Sequence, residues 1–186
     1  VTVTTTTSGA NTQAGNIPFQ ANANIAKTAG AGDATVTLSA HNNIDTTNAT
    51  ISSANNAAVG RLNVILTADS DSSGAGNVVV VGAVTTRGGS FTATGANIGG
   101  AGAINTSGIT GRAGGDITLT AQPTGTVNVT GAMTASGGAA AAGNAGNAGG
   151  TVSLSGGTVT AGGITARGSN GAARKTGRSG GTDNHD

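Results

Sequence analysis

Short alternating segments recur along the chain, each bounded by glycine or a polar turn. They are Thr35-Val-Thr-Leu-Ser39, Leu62-Asn-Val-Ile-Leu66, Phe91-Thr-Ala-Thr94, Ile117-Thr-Leu-Thr120 and Val152-Ser-Leu-Ser155. Their starts lie 27, 29, 26 and 35 residues apart. Repetition at such a period marks an architecture in which each unit buries its apolar face only against its neighbours. The best internal match sets Gly115-Asp-Ile-Thr-Leu-Thr120 against Gly150-Thr-Val-Ser-Leu-Ser155. Each is followed by Gly-Thr-Val, from Gly125 and from Gly157, and then by a unit ending in Thr-Ala at Ala135 or Ala166. Three strand-like pieces per ~25–30 residues, parted by glycine, predict an all-β chain. The expected form is a parallel β-helix of about five to six three-faced coils, with neighbouring coils ~4.8 Å apart.

Composition agrees with a narrow core. Gly, Ala, Thr, Asn and Ser account for 132 of the 186 residues, and Cys, Trp, Tyr and Glu are absent. A compact sandwich of this length would draw on aromatic side chains to fill it. A solenoid, only a few side chains across, needs few. Without cysteine there is no disulfide framework, zinc finger or iron–sulfur site. Two prolines rule out a collagen helix, and scattered glycine rules out an all-α fold. No apolar run approaches the ~18 residues of a membrane-spanning helix. The formal charge is only +1, which leaves the high-charge half of the disorder signature unmet.

Alternation fixes sidedness, because successive side chains of a strand point to opposite faces. The inward set is Leu62, Val64, Ile117, Leu119, Val127, Val129, Val152 and Leu154, joined by Val36, Leu38, Ile51, Leu66, Phe91, Val159 and Ile164. Thr, Ser and Asn form the outward set.

Three parts are expected. Residues 1–14 form an N-terminal β-strand that either caps the first coil or adds to a neighbouring subunit. Its assembly positions are Val1, Thr2, Val3 and Thr4, an uncharged alternating run of high β-propensity. Residues 15–167 form the β-helix, interrupted at 136–150 by a Gly/Ala-rich excursion expected to be a loosely packed loop, with a glycine-rich element packed on the side of the rod as the alternative. Residues 168–186 read as a polar basic tail, with Arg174, Lys175 and Arg178 next to Arg167.

The phrases Phe19-Gln-Ala-Asn-Ala-Asn-Ile25, Ala34-Thr-Val-Thr-Leu-Ser-Ala40, Leu62-Asn-Val-Ile-Leu-Thr-Ala-Asp-Ser-Asp-Ser-Ser-Gly-Ala-Gly76 and Gly149-Gly-Thr-Val-Ser-Leu-Ser-Gly156 resemble repeats of filamentous haemagglutinin-like exoproteins. The resemblance covers about residues 15–168. It implies a right-handed β-helix exported by two-partner secretion, extracellular or on the bacterial cell surface, acting as an adhesin or filament segment. A host-surface or glycan receptor would be its partner. Neither a signal peptide nor an export domain is recognisable here. The expectation is therefore a homopolymer, or a piece of a longer parent chain.

Candidate sites are few. Asp69-Ser-Asp71-Ser-Ser-Gly74 opens like a calcium loop, but Val80 stands where the bidentate glutamate belongs. Asp69 and Asp71 are the metal candidates, against the alternative of a turn whose carboxylates cap backbone amides. No catalytic set and no other cofactor site stands out. His41 and His185 are the only histidines, and the carboxylates are scattered, so polysaccharide cleavage on this architecture is a minor alternative and no enzyme is expected. The basic tail lacks interleaved aromatics, and no nucleic-acid partner is expected. Asn48, Asn105 and Asn128 begin Asn-x-Ser/Thr sequons, as chance alone supplies in such a composition. Thr-x-Thr pairs at Thr2/Thr4, Thr35/Thr37, Thr92/Thr94, Thr118/Thr120 and Thr158/Thr160 raise the alternative of an ice- or glycan-binding face. The unequal intervals between repeats argue against a regular array.

Overall fold

The computed structural model describes residues 1–5, 15–47 and 49–172. Among these residues eighteen short strands assemble into three parallel sheets of six. The first sheet holds β1 (Thr2–Thr4), β4 (Ala34–Ser39), β7 (Leu62–Thr67), β10 (Phe91–Gly95), β13 (Ile117–Ala121) and β16 (Val152–Ser155). The second holds β2 (Ile17–Pro18), β5 (Ile44–Asp45), β8 (Asn77–Val79), β11 (Asn97–Gly100), β14 (Thr126–Val129) and β17 (Thr158–Ala161). The third holds β3 (Ile25–Lys27), β6 (Ile51–Ser53), β9 (Val84–Thr85), β12 (Ile104–Asn105), β15 (Met133–Thr134) and β18 (Ile164–Thr165). Every third strand returns to the same sheet, so the chain winds a three-faced parallel β-helix of six coils. The expected fold is the one observed. At the usual strand spacing the stack is about 25 Å long.

The core is a set of columns, each made by one position repeated in successive coils. In the first sheet Val36, Val64, Phe91, Ile117 and Val152 stack in register, beside Leu38, Leu66, Ala93, Leu119 and Leu154. Phe91 with Ala93 fills the width that valine and leucine fill elsewhere. The second sheet adds Ile17, Ile44, Val78, Ile98, Val127 and Val159, and the third adds Ile25, Ile51, Val84, Ile104, Met133 and Ile164. Leu62, Val64, Ile117, Leu119, Val127 and Val129 are buried as expected. Val152 and Leu154 are only partly buried against the core. Val159 and Ile164 are 45% and 49% exposed. They point inward, but the last coil has a neighbour on one side only.

The outward assignment of polar residues also needs correcting. Ser53, Thr86 and Thr106 are buried at the inward position two residues after Ile51, Val84 and Ile104 of the third sheet. Their hydroxyls donate to the carbonyls of Gly60, Gly89 and Gly115, at 3.4, 2.5 and 2.6 Å. Each bond ties the end of one coil to the backbone just before the next, which is why a hydroxyl is tolerated inside. Thr46 is buried in the second sheet, bonded to Val79 O and Val81 N.

At the entry to the first sheet, glycine is required by close stacking. A Cβ on Gly89 would lie 2.1 Å from Leu62 O, one on Gly115 2.1 Å from Gly89 O, and one on Gly150 2.1 Å from Gly115 O. The Gly115 and Gly150 phrases match because both positions have the preceding coil's carbonyl where a side chain would begin.

The Gly/Ala-rich run at 136–150 is not a loose loop. Gly137 N donates to Arg167 O and Gly138 N to Arg112 O, at 2.7 and 2.9 Å. Asn147 Nδ2 donates to Gly138 O and Ala139 O, and Asn147 N to Ser169 Oγ. Small side chains let these backbone segments approach, and the extra length of the fifth coil packs on the corner of the stack. Residues 173–186 of the expected tail lie outside the described residues.

Candidate functional site

Strand entries are held by side chains of the preceding coil. Asn16 Oδ1 accepts Asn43 N, Asn43 Oδ1 accepts Asn77 N, and Asn97 Oδ1 accepts Thr126 N, at 3.0, 2.9 and 2.9 Å. Asn97 Nδ2 donates to Asn77 Oδ1 and completes the column. Asp33, Asn63 and Asp116 do the same for the amides of Arg61, Ser90 and Thr151. This ladder was legible as a polar residue directly before Ile or Val, as in Asn16-Ile17, Asn43-Ile44, Asn97-Ile98 and Asp116-Ile117. Sequence analysis did not single it out.

The Asp69–Gly74 turn follows β7. Asp69 sits in the left-handed region at φ 54° and its side chain is buried. Its carboxylate accepts Ser73 Oγ at 2.8 Å, Gly74 N at 3.0 Å, and Gln122 Nε2 from two coils away. Burial opposes its charge and is the largest single influence. The bonds from the Ser73 hydroxyl and from the amides of Gly74, Ala75 and Ser73 outweigh it together, holding the carboxyl below the ordinary aspartate range. Asp71 points elsewhere and pairs with His41 Nε2 at 3.1 Å. Thus the two carboxylates serve different partners, and donors occupy the oxygens of Asp69. Among the described residues no group of three or more His, Asp or Glu is placed to hold a metal ion.

The outer face of the first sheet carries two in-register columns. One is Thr2, Thr37, Ile65, Thr92, Thr118 and Ser153; the other is Thr4, Ser39, Thr67, Thr94, Thr120 and Ser155. The unequal repeat intervals are absorbed by the turns and do not disturb the strands. The register is regular, contrary to expectation, but the threonine array is not complete: Ile65 interrupts one column, and the Thr158/Thr160 pair lies on the second sheet.

The two ends of the stack are the third candidate. The strand Thr2–Thr4 pairs with β4 of its own chain, and among the described residues no strand pairs with its other edge. Val1 and Val3 are 86% and 43% exposed there. Beside it a hollow of about 420 Å³ is lined by Val1, Ile25, Lys27, Val36 and Leu62.

Sequence analysis missed one grouping altogether. Arg61, Arg87 and Arg112 lie 26 and 25 residues apart, one coil each, and stand on a single corner. Matching that spacing to the strand repeat would have found it. The chain matches no protein-family model, no curated protein and no solved structure.

Proposed function

We propose that the chain is a non-enzymatic structural and adhesive solenoid segment of the filamentous haemagglutinin-like kind, secreted or held on a bacterial surface. In this role its coils continue across its ends by strand addition, from a second copy or from a longer parent chain. The observation that carries the proposal is the pair of unfinished ends. Among the described residues one edge of β1 and one edge of β16 have no strand partner, and Val3, Val159 and Ile164 lie half-exposed in line with the core columns. Open parallel edges with apolar residues behind them template further strands. Because the two ends differ, stacking is head-to-tail and gives open filaments. Light scattering and electron microscopy over a concentration series test it, with Val159→Lys as the blocking variant. Concentration-dependent rods that Val159→Lys abolishes support assembly from copies. A monomer at every concentration rejects assembly from copies.

A second role, ice binding, is favoured by the first-sheet face. Its two columns hold no charged or aromatic side chain, and their hydroxyl and methyl groups repeat at the ~4.8 Å coil spacing. Aromatic stacking platforms for sugars are missing from that face, so ordered water suits it better than a glycan. Thermal hysteresis lost in Thr94→Tyr and Thr120→Tyr but kept in Asn128→Tyr on the second sheet is the expected result. No hysteresis in the unaltered protein would dismiss the idea.

A further inference from the structure

All five Lys and Arg side chains of the described residues fall on the corner where the third sheet leads back to the first. Lys27 ends β3, Arg61, Arg87 and Arg112 stand in the turns closing coils two, three and four, and Arg167 follows β18. The three central arginines converge more closely than the coil spacing requires. Arg112 Nη2 donates to Ala57 O at 2.8 Å, in the turn closing coil two, so its side chain crosses the turn that carries Arg87. Arg61 approaches the same turn from below, its Nε 3.7 Å from where a Cβ on Gly88 would stand. Two of these groups are left unsatisfied: Arg87 Nε and Arg112 Nη1 are buried and have no hydrogen-bond partner.

Among the described residues no carboxylate lies within ion-pair distance of these arginines; the one close pair is His41–Asp71, beside the Asp69–Gly74 turn that follows β7. Asp33 and Asp116 carry negative charge on the same corner, but their Oδ1 atoms accept the main-chain amides of Arg61 and Thr151, each at 2.7 Å, and no guanidinium. The backbone is strained where it presents Arg87. That residue has φ 59° and Gly88 has φ 91°, and Gly89 N closes on Thr86 O at 3.4 Å. This is the shape of a type I′ turn, which Asn or Gly fills without strain. A bulky arginine held in such a conformation is the kind of outlier that points to a site.

We propose that Arg61, Arg87 and Arg112 form an oxyanion site that takes a sulfate or phosphate group, either as a free ion or as the monoester of an acidic polymer. Guanidinium forks bind such oxygens in pairs, and the buried, unbonded N–H groups supply donors already stripped of water. Lys27 and Arg167 extend the positive line along the stack, so a linear polymer bearing these esters would lie along the corner.

Calorimetric titration of the full chain with inorganic phosphate, inorganic sulfate and a sulfated linear polysaccharide, at physiological ionic strength, tests the site. At least one inorganic ion should bind. Arg61→Gln and Arg87→Asn should each weaken that binding about tenfold or more, as loss of a hydrogen bond to a charged group does. Asn accepts the positive φ, so the Arg87→Asn protein should melt no lower than the unaltered one. Arg167→Gln should leave the inorganic ion's affinity unchanged. Binding of ion and polymer alike identifies the ester as a ligand, and binding of the ion alone identifies the free anion. Polymer binding with no response to either inorganic ion would reduce the corner to diffuse charge attraction and overturn the proposal. So would an equal loss in Arg167→Gln.

Discussion

Leu119 and Leu154 occupy one column of the solenoid, paired directly across β13 and β16, yet they differ in surroundings. Leu119 is fully buried between coils four and six, whereas Leu154 belongs to the last coil and is only partly buried. Truncating Leu119 to alanine removes the same atoms as truncating Leu154, so chemistry is held constant while cover changes. For the enclosed position the lost transfer energy and the residual cavity together cost about 3 kcal/mol. In a chain of this size that lowers the melting temperature by about 6–12 °C. For Leu154 the side chain already meets water and its surroundings can close in, so the cost is about 1 kcal/mol. Urea unfolding followed by circular dichroism gives both values, at a concentration where light scattering reports a monomer. Equal losses would refute the reasoning, because they would mean that something covers Leu154 as fully as coil six covers Leu119. A Leu154→Ala loss that grows with protein concentration would identify that cover as a second copy.

Sidedness has a companion test: Leu119→Asp buries an unpaired charge and should abolish cooperative unfolding, while Thr120→Asp on the opposite face should be mild. Gly115→Ala places a methyl on the Gly89 carbonyl and should cost about 1–3 kcal/mol by thermal melting, against no measurable change for Gly32→Ala, where the space is open. Thr86→Val keeps the shape but leaves the Gly89 carbonyl without its donor, and should lower stability by about 1–3 kcal/mol in urea. Asp69 contributes stability that is fully present above its unfolded pKa and is lost as the pH falls through its lower folded value. The melting temperature of the unaltered protein should therefore fall more steeply below about pH 4 than that of Asp69→Asn. Parallel curves would contradict the depressed carboxyl.

Period and alternation, both local properties, were enough to determine the solenoid and most of its core. Glycine before Ile117 and Val152, and threonine between aliphatics, announced where strands begin and which way they face. Register was beyond the sequence. Repeat intervals of 27, 29, 26 and 35 residues hid the regular first-sheet columns, because turns of different length sit between strands that pair one to one. Alternation does place Thr86 and Thr106 inward, two residues after Val84 and Ile104, and Thr94 and Thr120 outward, directly after Ala93 and Leu119. It could not show the glycine carbonyls that wait inside for the two buried hydroxyls, which depend on the path of the next turn. Nor could it separate Leu119 from Leu154, since burial in a solenoid depends on having a coil on each side. The arginine corner is the clearest case. Its members are one coil apart in sequence and carry little local signal, and they meet only because successive coils stack their turns on one edge.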